Sequence, residues 1–273
     1  MHFREKTVLI TGASAGIGEA LAVELARRAA TLVLVARRED RLRTLSDQLQ
    51  AIRPALNVVT LAQDITEPDN QRALVAELKR QALTVDILIN NAGLGDQALF
   101  HESDLDRQQA VLELNVTSLV GLTHRLLPPM LNRPGQSGLV FVGSGAGIAW
   151  LPGSVTYMAS KHFVTAFAMG LRAELRPLGV QVNLVCPGPV ESEFDQVAGI
   201  QQGLAGGPSK SLQISSRACA EAIVRGVEQD QALILPGRRF RRLMTTYLFL
   251  PWGVRRRMVE ADGRKLIRSR AAG

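Results

Sequence analysis

Short apolar runs alternate with stretches of helical spacing from the start of the chain to about Gly237, and this alternation limits the fold more than any other feature. Residues 7–11, 31–36, 58–62, 85–89, 139–142, 181–185 and 232–235 read as seven strands. Between them, residues 19–28, 41–52, 70–81, 105–127, 155–175 and 217–228 place apolar side chains at helical intervals. Strand and helix in strict succession need crossover connections, which are right-handed and produce a parallel sheet with helices on both faces. Val, Leu and Ile fill the runs, as burial on two faces demands. With 273 residues, 46 % apolar and only 4 % aromatic, the chain suits one large three-layer α/β domain. That domain is expected over residues 1–237, with a basic helical extension at 238–273.

The first strand leads into Thr11-Gly12-Ala13-Ser14-Ala15-Gly16-Ile17-Gly18, and a helix follows at once. Three glycines in such a turn let the backbone bend tightly and let a pyrophosphate approach the amides at the helix start, where the helix dipole favours anions. The second strand ends in Ala36-Arg37-Arg38. An acidic side chain there would read the ribose 2′-hydroxyl of NAD, whereas a 2′-phosphate needs cations. Arg37 can form paired charge-assisted bonds to a phosphate, and Arg38 can add charge or stack on adenine. NADP(H) is therefore expected over NAD(H), although Ala15 stands where another basic residue would strengthen the case.

Tyr157 and Lys161 are four residues apart on an expected helix, so phenol and ammonium share a face. An isolated tyrosine titrates near about 10, and a close cation favours the phenolate, making Tyr157 a candidate general acid/base. Ser144 follows the apolar run 139–143 and can hydrogen-bond a reacting oxygen from the strand's end. His162, beside Lys161, points about a quarter-turn away on a helix and is expected at a surface or interface.

Other classes are disfavoured. Cys186 and Cys219 are far apart and lack metal-ligand or disulfide-framework spacing, which suits a reducing, cytoplasmic setting. The histidines His2, His101, His124 and His162 are scattered, so no metal is expected. The net charge of +7 is misleading, because residues 238–273 hold eleven Lys and Arg against Glu260 and Asp262, leaving a body of net −2. No nucleic-acid partner is expected. The tail mixes Arg clusters with an apolar stretch at 243–254, too short to span a bilayer. A helix pair packed on its own domain or a sister subunit is the favoured reading, ahead of peripheral membrane contact. Residues 187–216, rich in Gly, Pro, Ser and Gln, lack periodicity and form a candidate substrate lid, with an idle surface insertion as the alternative.

Together, the loop at 11–18, Asn90-Asn91-Ala92-Gly93, Ser144, Tyr157-x-x-x-Lys161 and Pro187-Gly188 resemble the short-chain dehydrogenase/reductase family, in order from about Lys6 to Gly237. The resemblance implies a Rossmann-like, doubly wound, seven-stranded parallel sheet. It implies that Gly12, Ser14, Ala15, Gly16, Ile17 and Gly18 hold the pyrophosphate side and that Arg37 and Arg38 take the 2′-phosphate. Asp64 would bond the adenine amine with Ile65 beside it, and Asn91, Ala92 and Gly93 would line the adenosine ribose. Pro187, Gly188, Val190 and Ser192 would meet the nicotinamide, with Ser192 where threonine is frequent. Catalysis would use Tyr157, with Lys161 on the nicotinamide ribose, Ser144 on the substrate oxygen and Asn115 holding a water in the proton relay. A hydride would pass between nicotinamide C4 and a carbonyl/secondary alcohol pair. Residues 145–153, the lid and residues 243–252 are expected to wall an apolar pocket for a hydrophobic substrate. The resemblance also implies a homodimer or homotetramer. A non-catalytic NADP(H)-binding sensor or scaffold is the alternative, against which the intact Ser144, Tyr157 and Lys161 argue.

Overall fold

The computed structural model describes residues 1–199 and 210–271. Its strands are β1 (Thr7–Thr11), β2 (Thr31–Ala36), β3 (Asn57–Ala62), β4 (Ile87–Asn90), β5 (Ser137–Val142), β6 (Val180–Val185), β7 (Val190–Glu191), β8 (Ile214–Ser215) and β9 (Leu233–Ile234). Seven of them form one parallel sheet in the order β3-β2-β1-β4-β5-β6-β9. The order reverses between β1 and β4, and a Rossmann-like sheet opens its ligand crevice at that reversal.

The helices are α1 (Gly16–Leu25), α2 (Glu39–Ile52), α3 (Pro68–Arg80), α4 (Leu105–Leu112), α5 (Ser118–Leu131), α6 (Val155–Leu175), α7 (Phe194–Val197), α8 (Ser216–Glu228), α9 (Arg238–Phe249) and α10 (Trp252–Ala271). Alternate strand residues face opposite layers. Val8 and Ile10 pack with Leu21, Leu42 and Ile223 from α1, α2 and α8, whereas Leu9 packs with Leu74, Leu122 and Val164 from α3, α5 and α6.

Three departures from the sequence reading bear on the site. The helix expected at 105–127 is divided by a π-helical turn, Glu113–Thr117, between α4 and α5. An extra residue in the turn rotates the following side chains, and Asn115 occupies it, buried against the backbone of Leu94. Strand β4 extends to Asn90, whose buried amide donates to Thr123 Oγ1 at 3.1 Å, a polar contact that the apolar pattern conceals. Helix α1 starts at Gly16 rather than residue 19, so the glycine loop itself forms its first turn.

The stretch expected to lack periodicity contains β7, α7 and β8, with β7 and β8 paired to hold its ends together. Gly203, Gly206, Gly207 and Pro208 lie outside the described residues. In the tail, Leu250 precedes Pro251 and is extended (φ −69°, ψ 137°), which ends α9 and turns the chain into α10. Phe240, Met244 and Leu266 are buried against the domain. No helix among the described residues is long and apolar enough to cross a membrane.

Two glycines give opposite expectations. A Cβ at Gly18 would lie 2.3 Å from Gly12 O and 2.6 Å from Asn91 Nδ2, whereas Gly170 in α6 has no neighbour within 4 Å. In urea melts, Gly18→Ala should destabilise by about 1–3 kcal/mol or more through overpacking. Gly170→Ala should stabilise by about 0.5–1 kcal/mol by lowering the entropy of the unfolded chain.

Candidate active site

The crevice at the β1/β4 reversal is built around Thr11. Its Oγ1 accepts from the backbone of Asn91 and Ala92, both at 3.0 Å, and Asn91 Nδ2 donates back to Thr11 O (2.9 Å) and Gly12 O (3.2 Å). Gly12 (φ +66°) fits against this junction because a Cβ would stand 2.9 Å from Ala92 Cα. Gly16 (φ +59°) lies under Ser192, with an added Cβ only 3.1 Å from that residue's Cβ. Ala15 is the extended residue before α1 and has no side-chain acceptor to cap it. The first amides of α1 are thus left to an external anion, which fits a pyrophosphate.

Beyond β2, Arg37 is largely exposed and reaches Asp64 at 3.7 Å. Asp64 also receives Thr66 N (3.0 Å) and Thr66 Oγ1 (2.7 Å), and Ile65 lies beside it on the crevice wall. Arg38, expected at the 2′-phosphate or the adenine, is engaged within the protein. It donates to Ser14 Oγ (3.2 Å) and to Glu193 Oε2 (2.8 Å), tying the glycine loop to the segment after β7. Arg41 adds a second bond to Glu193 at 3.3 Å. These two guanidinium groups hold the Glu193 carboxyl below the usual carboxylate range.

At the other end of the crevice, Ser144 follows β5 and accepts from Ala146 N at 3.1 Å, which aims its hydroxyl toward Tyr157. Helix α6 carries Tyr157 and Lys161 on one side. Lys161 Nζ donates to Val142 O at 3.1 Å and lies 5.9 Å from the centre of the Tyr157 ring. Behind them, Asn115 Oδ1 accepts from Leu94 N (2.8 Å), while its Nδ2 donates to Leu94 O and Ser160 Oγ, both at 2.9 Å. Ser160 Oγ continues to Tyr157 O at 2.7 Å. Gly93 separates Lys161 from Asn115: a Cβ there would sit 3.2 Å from Nζ and 3.3 Å from Oδ1.

The sequence reading expects Lys161 to draw the phenol toward neutral pH. In the structure burial dominates and pushes Tyr157 up to about 12; the Ser144 hydrogen bond opposes this, and Asp195 and Cys186 reinforce it. Burial also lowers the Lys161 ammonium to about 8. The physical reason is position, since Nζ is turned onto Val142 O, with Lys161 buried and Tyr157 half-buried at the cavity wall.

One cavity of about 680 Å³ is lined by all the expected cofactor-binding and catalytic residues except Gly18 and Asn115. Pro187, Gly188, Val190 and Ser192 lie along it. Ser192 Oγ donates to Val190 O at 3.4 Å and accepts from Phe194 N at 3.3 Å. Trp150, Leu151, Leu243 and Met244 face the cavity as expected, and the tail adds Phe240 one turn earlier. Trp252 is 61 % exposed and outside the cavity, meeting its wall only by an edge-on contact with Trp150 at 6.4 Å. His162 is also outside, its Nδ1 3.0 Å from Met158 O on its own helix.

Four contributors were missed. Ser160 lies between Tyr157 and Lys161 in sequence, and its hydroxyl was the available signal. Glu193, Phe194 and Asp195 gave none, because a short helix after an irregular loop has no pattern. Phe194 packs on the Tyr157 ring with centroids 5.7 Å apart, and burial raises the Asp195 carboxyl.

The short chain dehydrogenase family matches residues 6–202. The human Dehydrogenase/reductase SDR family member 7 is 35 % identical over 211 residues, which span 76 % of this chain and 60 % of the human protein. The 11-beta-hydroxysteroid dehydrogenase 1A of Arabidopsis thaliana is 34 % identical over 269 residues, 92 % of this chain and 74 % of the plant protein. Among solved structures, a short-chain dehydrogenase from Sphingobium yanoikuyae in complex with NADPH superposes with a TM-score of 0.77 at 32 % identity, covering 89 % of this chain and 93 % of that one. The chain belongs to the short-chain dehydrogenase/reductase family. It is an oxidoreductase of that class, acting on CH–OH groups with a nicotinamide nucleotide.

The lowered Lys161 pKa sets a stability profile for the cofactor-free protein. The folded group titrates at about 8 and the unfolded one at 10.5, so the unfolded chain binds more protons between those values. The contribution of Lys161 is therefore complete above the unfolded pKa and is lost as pH falls through the folded one. In thermal melts, Lys161→Met should gain on the wild type as pH is lowered through this window, and parallel profiles would contradict the assignment.

Proposed function

We propose that this enzyme is NADP(H)-dependent, with NADP(H) preferred over NAD(H), and that it interconverts a carbonyl and a secondary alcohol on a hydrophobic substrate with Tyr157 as general acid/base. The observation that carries this reading is the convergence of Ser144, Tyr157 and Lys161 on a cavity whose opposite end holds the uncapped α1 and Arg37. When bound, the nicotinamide supplies or accepts the hydride. Tyr157 gives its proton to the substrate oxygen in reduction, and a phenol pushed up to about 12 holds that proton at neutral pH. Ser144 orients the same oxygen by hydrogen bonding. Lys161 holds the nicotinamide ribose and favours the phenolate as it forms, while Asn115 positions a water that links the lysine to solvent.

Cofactor preference rests on Arg37. Its pairing with Asp64 is a surface contact worth about 0–1 kcal/mol, so the guanidinium is readily shared with a 2′-phosphate. The wall formed by Trp150, Leu151, Phe194, Leu212, Phe240, Leu243 and Met244 favours an apolar substrate. The irregular composition of residues 187–216 supports reading them as its lid, and Phe240, Leu243 and Met244 of the extension at 238–273 complete the pocket of a catalytic domain at 1–237. Phe163 and Met169, 38 % and 42 % exposed on α6, supply apolar surface for a homodimer or homotetramer. Two buried free thiols, Cys186 and Cys219, suit a cytoplasmic setting.

Tyr157→Phe should lower turnover of NADPH with a panel of apolar ketones by about 10²–10⁴-fold while NADPH still binds. Full activity in this variant would overturn the mechanism. Arg37→Ala should weaken NADPH by roughly ten- to hundredfold, the loss of one charge-assisted contact of about 1.5–3 kcal/mol, and leave NADH almost unchanged. An equal effect on both nucleotides would refute the role given to Arg37.

A further inference from the structure

The elbow between α9 and α10 is amphipathic in an unusual way. One face of α9 is buried through Phe240 and Met244, but its end and the start of α10 leave apolar side chains in solvent: Leu248 is 43 % exposed, Phe249 85 % and Trp252 61 %. Val254 and Met258, four residues apart on α10, extend this surface. Around it lie Arg241, Arg242 and Arg257, all exposed and without an acidic partner among the described residues.

We propose that this elbow docks on an anionic lipid surface. Phe249 and Trp252 enter the boundary between headgroups and acyl chains, and the surrounding arginines meet the phosphates. Charge selects this occupant over a second copy of the chain. The tail carries +9 and the body only −2, so two copies joined at their elbows would bring like charges together with no acidic face to match them. Scattered exposed apolar residues are ordinary, but five within eleven positions, rimmed by arginines without an acidic partner among the described residues, form a patch with a partner chemistry.

The placement also has a consequence for substrate supply, which rests on the proposed reading of the cavity. Leu243 lines the cavity and Phe249 follows six residues later on the same helix, about 9 Å along its axis. The docked elbow would bring the cavity rim to the bilayer, so an apolar ketone or alcohol dissolved in lipid could enter without crossing bulk water.

The test is co-sedimentation of the full chain with vesicles of phosphatidylcholine alone or mixed with phosphatidylglycerol, accompanied by sedimentation velocity without lipid. Binding should require phosphatidylglycerol and weaken with added salt. Leu248→Ser and Phe249→Ser should each reduce it roughly tenfold, and Arg241→Glu with Arg242→Glu should reduce it at least as much. Melting temperature, NADPH binding and turnover of a water-soluble ketone should be unchanged in these variants. Absence of binding to the anionic vesicles, or equal binding by all variants, would overturn the proposal. So would a dimer that the serine variants dissociate, which would assign the elbow to a second copy. Vesicle binding is read without catalysis, so retained docking in a chain inactive on every ketone would reject the proposed reaction and leave the docking surface standing.

Discussion

The junction of Thr11 with Asn91 is the interaction on which the rest of the site depends. β1 and β4 are neighbours in the sheet, but their following segments diverge, and such a point would splay without a crosslink. Thr11 Oγ1 takes two backbone N–H groups from the β4 side, and Asn91 returns two bonds to the β1 side. Each is a modest interaction of about 0.5–1.5 kcal/mol. Together they hold the backbone closely enough that Gly12 and Gly18 admit no side chain, and this closeness gives the nucleotide crevice a fixed floor.

The other end of the crevice depends on a different arrangement, in which polar groups are buried but paired. Asn115, Ser160 and Lys161 are all at most 4 % exposed, and each has a hydrogen-bond partner. Leaving one such group unsatisfied would cost about 1–3 kcal/mol, so the network resists rearrangement and keeps Tyr157 and Lys161 where the π-helical turn and α6 place them. The same burial separates the two titrations, upward for the phenol and downward for the ammonium. Sites that perform acid–base chemistry at neutral pH commonly show this divergence.

Much of this was legible in the chain. The alternation located every strand of the large sheet to within two residues at either end; the start of β5 was hidden because Ser137 and Gly138 carry no apolar signal, and β9 is shorter than its apolar run because it pairs over only two residues. Tyr157 and Lys161 were legible because a helical repeat is local. The π-helical turn was not, since a lone asparagine in an apolar helix looks the same whether it faces solvent, core or site. Nor was the role of Arg38, which meets a carboxylate 155 residues away.

By itself, the sequence determined the parallel α/β architecture, the glycine loop and the placing of Tyr157 and Lys161 on one helix face, because burial periodicity and neighbouring side chains act over a few residues. Tertiary structure alone decided that Glu193 closes on Arg38, that Phe240 rather than Trp252 seals the cavity wall, and that burial raises the tyrosine's pKa. Those outcomes depend on distances and shielding between segments remote along the chain, and such distances exist only once the sheet has brought the segments together.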